Sequence, residues 1–192
     1  VLIGAEPHVP YERPPLSKAI LQGVGRPEHT HLMPADKFAE LELDFRPGVR
    51  VTAIDRHHQQ VELTGGERIS YDQLILTTGG TARTLPIPGG DLAEVVTLRT
   101  LADAEHLRAR LAPHTRIVVV GGGWIGLEVA ATACQVGAQV DVVEAMDRLC
   151  RRSVPPVISD YLLRLHQDHG VRVHLGLGVQ RIEHSKSGAG VR

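Results

Sequence analysis

The sequence predicts an α/β fold built on a parallel, doubly wound sheet, and two observations carry the prediction. In the second half of the chain, apolar runs of strand length alternate with longer helical patterns. The first of those runs, Ile117-Val118-Val119-Val120, passes straight into Gly121-Gly122-Gly123, and a helical stretch follows at once. Alternation of this kind brings each strand beside the previous one through a crossover helix, which makes the sheet parallel.

The first half is more broken. Val1-Leu2-Ile3-Gly4 reads as a short buried strand. Pro7, Pro10, Pro14 and Pro15 forbid regular structure up to residue 15, and Pro14-Pro15 preset φ for a short helix over 16–21 that Gly23 ends. Residues 34–45 predict a second helix. A meander of short strands follows at 50–54, 60–63 and 69–71, the last two joined at Gly65-Gly66. Residues 73–77 predict a further apolar strand that runs into Thr78-Gly79-Gly80. The Pro/Gly-rich stretch 86–90 marks a boundary. On that reading residues 1–85 are one domain, 86–112 a linker with a connecting helix at 101–111, and 113–192 a second domain. The second domain should run as strand 117–120, helix 124–136 and strand 139–143. A helix from about 155 to 169, with proline in its first turn, and a strand over 171–175 follow.

Composition narrows the function classes. The 192 residues carry 21 Lys+Arg against 22 Asp+Glu, a formal charge of −1, so no clustered positive surface for nucleic acid or anionic membrane is expected. Aromatic residues make up 3%, too few for base-stacking platforms. No apolar run approaches the ~18 residues of a membrane span, and no N-terminal signal is visible. Cys134 and Cys150 cannot form a disulfide framework, which fits a reducing cytoplasm. They also lack the C-x-x-C or C-x4-C spacing of a redox-active dithiol, so both read as structural. His166 and His169 have no organised third ligand and read as surface helix residues, so no metal is expected. The chain opens at Val1 inside a strand-like run without an initiator methionine, and is expected to be a piece of something longer.

The glycine-rich turn carries the chemistry. Residues 121–126 read G-x-G-x-x-G between a strand and a helix. Gly121 permits the tight turn, Gly123 lets the backbone approach a pyrophosphate, and Gly126 lets helix and strand close up. Glu144 ends the next strand, about 20 residues beyond the glycines, where a carboxylate accepts the ribose hydroxyls and repels a 2′-phosphate. That favours NADH over NADPH, although Arg148, Arg151 and Arg152 stand close enough in sequence to accept a phosphate, their other roles being a solvated loop surface or contacts to the pyrophosphate. Glu128 lies in a nearly all-apolar helix, where a carboxylate is costly unless it reaches water, a cation or a ligand cavity.

With these residues placed, the chain resembles a family. Pro10-Tyr11-Glu12-Arg13-Pro14-Pro15-Leu16-Ser17-Lys18 is similar to the segment after the first βαβ unit of flavin-dependent ferredoxin reductases that serve Rieske-type aromatic-ring dioxygenases, relatives of putidaredoxin and rubredoxin reductases. Further matches run in the family's order. They are Tyr71-Asp72 to Thr78-Gly79, Leu98-Arg99-Thr100-Leu101, Gly121-Gly122-Gly123-Trp124-Ile125-Gly126-Leu127-Glu128, and Val143-Glu144 with Arg148 and Arg151. The resemblance implies a glutathione-reductase-like pair of nested dinucleotide-binding domains, both incomplete in this chain. It also implies FAD and NADH as cofactors and a [2Fe-2S] ferredoxin as the electron acceptor.

Carried over residue by residue, Lys18 resembles the lysine beside the flavin N5 edge and Glu128 its carboxylate partner, and these two are the catalytic candidates. Arg13, Val51 and Arg99 resemble flavin-cofactor contacts, Val51 through its backbone, with Thr78 and Gly79 beside them. Gly121, Gly123, Trp124, Ile125, Gly126, Glu128, Glu144 and Arg151 match the NADH-binding positions. Glu6 is an adenosine contact only by proximity, because the family often has its acid at the position of Ala5. The first glycine-rich loop, the late Gly-Asp segment and the C-terminal domain of the family are missing, so a middle fragment is expected. Two other readings stay open: an apoptosis-inducing-factor-like protein that binds NADH and FAD, and a degenerate fragment without activity.

Overall fold

The computed structural model describes residues 1–185 and 188–191. In chain order the strands are β1 (Leu2–Gly4), β2 (Phe45–Pro47), β3 (Val51–Asp55), β4 (Gln60–Leu63), β5 (Arg68–Ser70), β6 (Arg116–Val120), β7 (Gln139–Glu144), β8 (Arg172–Leu175), β9 (Ile182–Ser185) and β10 (Gly188–Val191). The helices are α1 (Ala19–Gln22), α2 (Asp36–Glu40), α3 (Leu101–Arg110), α4 (Trp124–Gln135) and α5 (Pro156–Asp168), with 3-10 turns at Pro14–Ser17 and Pro27–Thr30. They divide between two compact units: Val1–Glu12 with Glu28–Gly80, and Arg13–Pro27 with Thr81–Arg192. No helix among the described residues is long and apolar enough to cross a membrane.

In the first unit β1 pairs in parallel with β2, and β3, β4 and β5 form an antiparallel meander. Val61 and Leu63 alternate inward along β4 and are buried. Gly65 and Gly66 both take positive φ, 99° and 87°, the backbone that a tight hairpin turn requires. The helix expected over 34–45 shortens to α2. Glu42 adopts a left-handed φ of 52°, and the Leu43 N–H turns back to the Phe38 carbonyl at 2.8 Å. The chain released there forms β2, and Phe45 stacks on Phe38 with ring centroids 4.6 Å apart. The strand expected over 73–77 does not form. Leu74, Ile75 and Leu76 are 38%, 82% and 62% exposed, and no strand among the described residues pairs with them. Apolar sequence alone does not make a strand, because the ladder bonds come from a neighbour.

The second unit holds the predicted parallel sheet, in the order β6-β7-β8, with Ile117 beside Val140 and Val142 beside Val173. Val140 and Val142 pack against Ala130 and Ala133 of α4, whose small side chains let the helix sit close to the sheet. On the strands themselves, Asp141 of β7 accepts from Arg172 Nε and lies against His174 Nε2, each at 2.8 Å, which ties β7 to β8 in register. The Arg172 hydrogen bond outweighs the opposing effect of burial and, with His174, lowers the Asp141 carboxyl to about 2.

The helix expected over 16–21 appears as the Pro14–Ser17 turn and α1, separated at Lys18, whose ψ of −108° fits neither element. Gly23, at φ 84°, ends α1 as expected. Thr100 and Asp103 cap α3 reciprocally, and Leu107 of α3 meets Leu21 of α1 and Val129 of α4. That apolar contact carries the 13–22 segment onto α4. His166 is not the surface residue expected. It is buried, its Nδ1 2.9 Å from the Leu162 carbonyl and its Nε2 3.2 Å from the Leu127 carbonyl, because α5 packs against the first turn of α4.

Candidate functional site

The second unit builds a candidate nucleotide cradle from local backbone. Gly121 leaves β6 at φ 112°, and its N–H holds the Val143 carbonyl at 2.8 Å. A Cβ on Gly126 would stand 2.1 Å from the Gly121 carbonyl oxygen, so only glycine closes the turn. Gly122, which the G-x-G-x-x-G pattern leaves unspecified, is constrained by side chains rather than backbone: a Cβ there would meet Leu149 Cδ2 at 2.6 Å and Glu144 Cβ at 3.1 Å. Gly123 is the contrast, with nothing within 4 Å of its Cβ position. Open space at that glycine, beside the N-terminus of α4, fits the approach of a pyrophosphate to backbone N–H groups. Trp124 and Ile125 follow in the first turn, about half exposed.

Glu144 closes the other side. Its Oε2 accepts from the Gly122 N–H at 2.7 Å and its Oε1 from the Met146 N–H at 2.8 Å. Each oxygen keeps acceptor capacity for a ribose hydroxyl. The loop after β7 is tied back to the glycines by the Cys150 N–H on the Gly122 carbonyl, 2.9 Å. Arg148 is committed to this loop rather than to a ligand: it donates to the carbonyls of Val154 and Arg151 and to Ser159 Oγ. Arg151 is half-exposed and pairs with Asp147 at 3.1 Å. Burial, and secondarily the Glu144 charge, push the Cys150 thiol up, which keeps it protonated and unreactive. Cys134 Sγ donates to the His169 carbonyl.

The catalytic candidates also meet. Lys18 Nζ lies 2.7 Å from Glu128 Oε1, at the junction of the Pro14–Ser17 turn and α1. The second carboxylate oxygen accepts from the hydroxyl of Ser17, a residue the sequence reading passed over. Burial raises the Glu128 carboxyl, but the hydrogen bonds from Lys18 and Ser17 and the Lys18 charge outweigh it, so the group lies below the ordinary range and is ionised. Thr132, one turn along α4, donates to the Ser17 carbonyl at 2.8 Å. The only sequence signal for this pair of hydroxyls is position: Ser17 precedes Lys18, and Thr132 stands at i+4 from Glu128.

Arg13 and Arg99 are brought together as well. Arg13 donates to the Arg99 carbonyl, and the Arg99 N–H reaches Asp103 Oδ2 at 2.9 Å, so both hang on the cap of α3. The remaining candidates lie in the first unit. Glu6 accepts from the Tyr11 hydroxyl, Val51 begins β3, and Thr78 and Gly79, the latter at φ 65°, lie within the irregular segment that follows β5.

Comparison with known proteins shows the family to which the chain belongs. The pyridine nucleotide-disulphide oxidoreductase family matches residues 1–191. Rhodocoxin reductase of Rhodococcus erythropolis is 46% identical over 181 residues, covering 94% of this chain and 42% of that protein. The 3-phenylpropionate/cinnamic acid dioxygenase ferredoxin–NAD(+) reductase component of Photorhabdus laumondii is 42% identical over 181 residues, covering 93% and 45%. A crystal structure of the covalent putidaredoxin reductase–putidaredoxin complex superposes with a TM-score of 0.90 at 38% identity, over 97% of this chain and 46% of that one. The chain therefore spans about half the length of the relatives it matches.

Proposed function

The chain belongs to the pyridine nucleotide-disulphide oxidoreductase family, and from that premise we propose that the protein carrying it is an NADH:ferredoxin oxidoreductase. It would take a hydride from NADH onto FAD and deliver electrons singly to a [2Fe-2S] ferredoxin that feeds an aromatic-ring dioxygenase, in the cytoplasm. One observation carries this reading. The helix whose N-terminus borders the open Gly123 position presents, one turn later, the Lys18-bound carboxylate of Glu128. A dinucleotide seated there by its pyrophosphate has its reacting end to place, and a charged pair stands next in line.

The open position at Gly123 and the remaining acceptor capacity of Glu144 support NADH as one of the two cofactors. Gly121, Gly123 and Gly126 admit the NADH pyrophosphate, Glu144 takes the ribose hydroxyls, and Trp124, Ile125 and Arg151 flank them. Arg13, Arg99, Lys18, Val51, Thr78, Gly79 and Glu6 are the residues we assign to FAD. When bound, FAD supplies the change from two-electron to one-electron chemistry. Glu128 holds the Lys18 ammonium in one place, and Lys18 offers positive charge where negative charge builds up during reduction. The protein does no acid–base chemistry in this scheme; it aligns two rings and fixes a charge beside them. The ferredoxin assignment is supported by relatives described as ferredoxin reductase components and by the complex with putidaredoxin.

The test uses the full-length, FAD-loaded protein. Lys18→Met and Glu128→Gln should each slow flavin reduction by NADH in stopped flow. The double variant should lose less than the sum, by a coupling of about 0.5–3 kcal/mol. Electrons should then pass to a [2Fe-2S] ferredoxin. A protein that NADH reduces but that passes no electrons to a panel of such ferredoxins would overturn the assignment.

A further inference from the structure

We infer that Ser17 is a positioning residue for the Lys18–Glu128 pair, with Thr132 as its support. The inference rests on the proposed role of that pair in hydride transfer. Ser17 is 4% exposed and Thr132 5%, so neither hydroxyl is an incidental surface group. A serine hydroxyl has one proton to give. Its choices here are the Glu128 carboxylate and the Pro14 carbonyl, and the latter is at 3.5 Å, the outer limit of a hydrogen bond. The proton therefore goes to Glu128 Oε2, while Lys18 Nζ takes Oε1. Both oxygens of one carboxylate are filled by adjacent residues of the same turn.

The backbone closes this arrangement. Thr132 Oγ1 donates to the Ser17 carbonyl at 2.8 Å, so Ser17 is tied to α4 through its side chain at Glu128 and through its main chain at Thr132, one helical turn apart. Two tethers fix the direction of the following residue, and that residue is Lys18. Lys18 Nζ also donates to the Pro14 carbonyl at 3.2 Å, so two of its three donors are taken among the described residues. The remaining one is the donor Lys18 can offer to a bound ring. Without the Ser17 hydroxyl, Oε2 would lose its partner at a partly buried site and the carboxylate would be free to rotate toward Lys18 with both oxygens. The ammonium would then be drawn in rather than held out. The Ser17 proton thus adds to the preference of Glu128 for its ionised form and keeps Lys18 on one oxygen only.

The experiment uses the full-length, FAD-loaded protein and Ser17→Ala, Ser17→Cys and Ser17→Thr variants. The first readout is independent of turnover: the Glu128 carboxyl is followed by carbon-13 NMR through a pH titration. Ser17→Ala should raise its midpoint by about one pH unit, because a donor to the charged form is lost. Ser17→Cys, a weaker donor of similar shape, should fall between, and Ser17→Thr should restore the wild-type curve. The second readout is flavin reduction by NADH, where Ser17→Ala should lower the limiting rate about three- to tenfold and leave the half-saturating NADH concentration within twofold. A Glu128 titration unchanged in Ser17→Ala and Ser17→Cys would overturn the assignment. A shifted titration together with Lys18→Met and Glu128→Gln variants that reduce normally would uphold Ser17 as the partner of Glu128 and instead overturn the catalytic role of the pair.

Discussion

Two regions of the molecule carry nearly the same local pattern and end differently. Val118-Val119-Val120 runs into Gly121-Gly122-Gly123, and Leu74-Ile75-Leu76 runs through two threonines into Gly79-Gly80. The first is a strand hydrogen-bonded along its length to β7, and the middle one of its three glycines, Gly122, is packed against Glu144 and Leu149. The second has no ladder, its apolar side chains face out, and a Cβ on Gly80 would meet nothing within 4 Å. The difference lies in where the partners are in the chain. Everything that shapes the 121–126 turn is supplied between residues 116 and 150, by a helix and a strand that follow immediately. Residues 73–80 pair with no strand among the described residues, although the β5 edge ends only a few residues before them.

The comparison can be broken at its strongest point with Gly126→Ala. A methyl group 2.1 Å from the Gly121 carbonyl must force helix and strand apart, at a cost of about 1–3 kcal/mol in urea unfolding and with loss of NADH binding. Unchanged stability would mean that the turn is as loose as residues 73–80. Asp141→Asn comes next and tests the sheet beside the cradle. The folded Asp141 carboxyl, at about 2, lies below the unfolded value near 3.9. Its contribution is therefore complete above pH ~4 and disappears as pH falls through about 2. The substitution should cost up to about 2 kcal/mol at pH 7 and almost nothing at pH 2, which urea unfolding at the two pH values would measure.

Glu144→Ala should have a smaller effect on the fold but a clear one on nucleotide choice. It removes the acceptor proposed for two ribose hydroxyls and the negative charge proposed to oppose a 2′-phosphate, so the preference for NADH over NADPH should narrow about tenfold in steady-state rates of the full-length protein. A wild-type preference for NADPH would contradict the role of Glu144 outright. Gly80→Ala is the smallest effect, within about 0.5 kcal/mol, since the Cβ position is open and the backbone is not left-handed. A loss comparable to that of Gly126→Ala would show that residues 73–80 are packed as tightly as the cradle.

Much of the site was legible in the residues because its determinants are close together. The strand, the three spaced glycines, the helix and the terminal acid of β7 lie in one run, and each is required by the same backbone geometry. The isolated acid in an apolar helix also announced that Glu128 needed a partner. What stayed hidden was of two kinds. Gly122 carries no role in the glycine pattern because its constraint comes from Leu149 and Glu144, which the turn approaches only when folded. The role of Arg148 stayed open in the sequence because its three carbonyl and hydroxyl acceptors appear only once the loop after β7 has closed.

The sequence by itself determined the parallel β6-β7-β8 sheet, the dinucleotide turn and the acid that closes it, since period, glycine spacing and strand order act over short stretches of chain. Only the tertiary structure decided that Ser17 shares Glu128 with Lys18, that His166 is buried, and that residues 73–77 remain without a ladder. Each of these depends on a partner set by the path of the chain: Ser17 and Glu128 are 111 residues apart, and His166 reaches a carbonyl 39 residues away. Hydrogen bonds satisfy whatever group the fold brings within about 3 Å, and no local pattern records which group that will be.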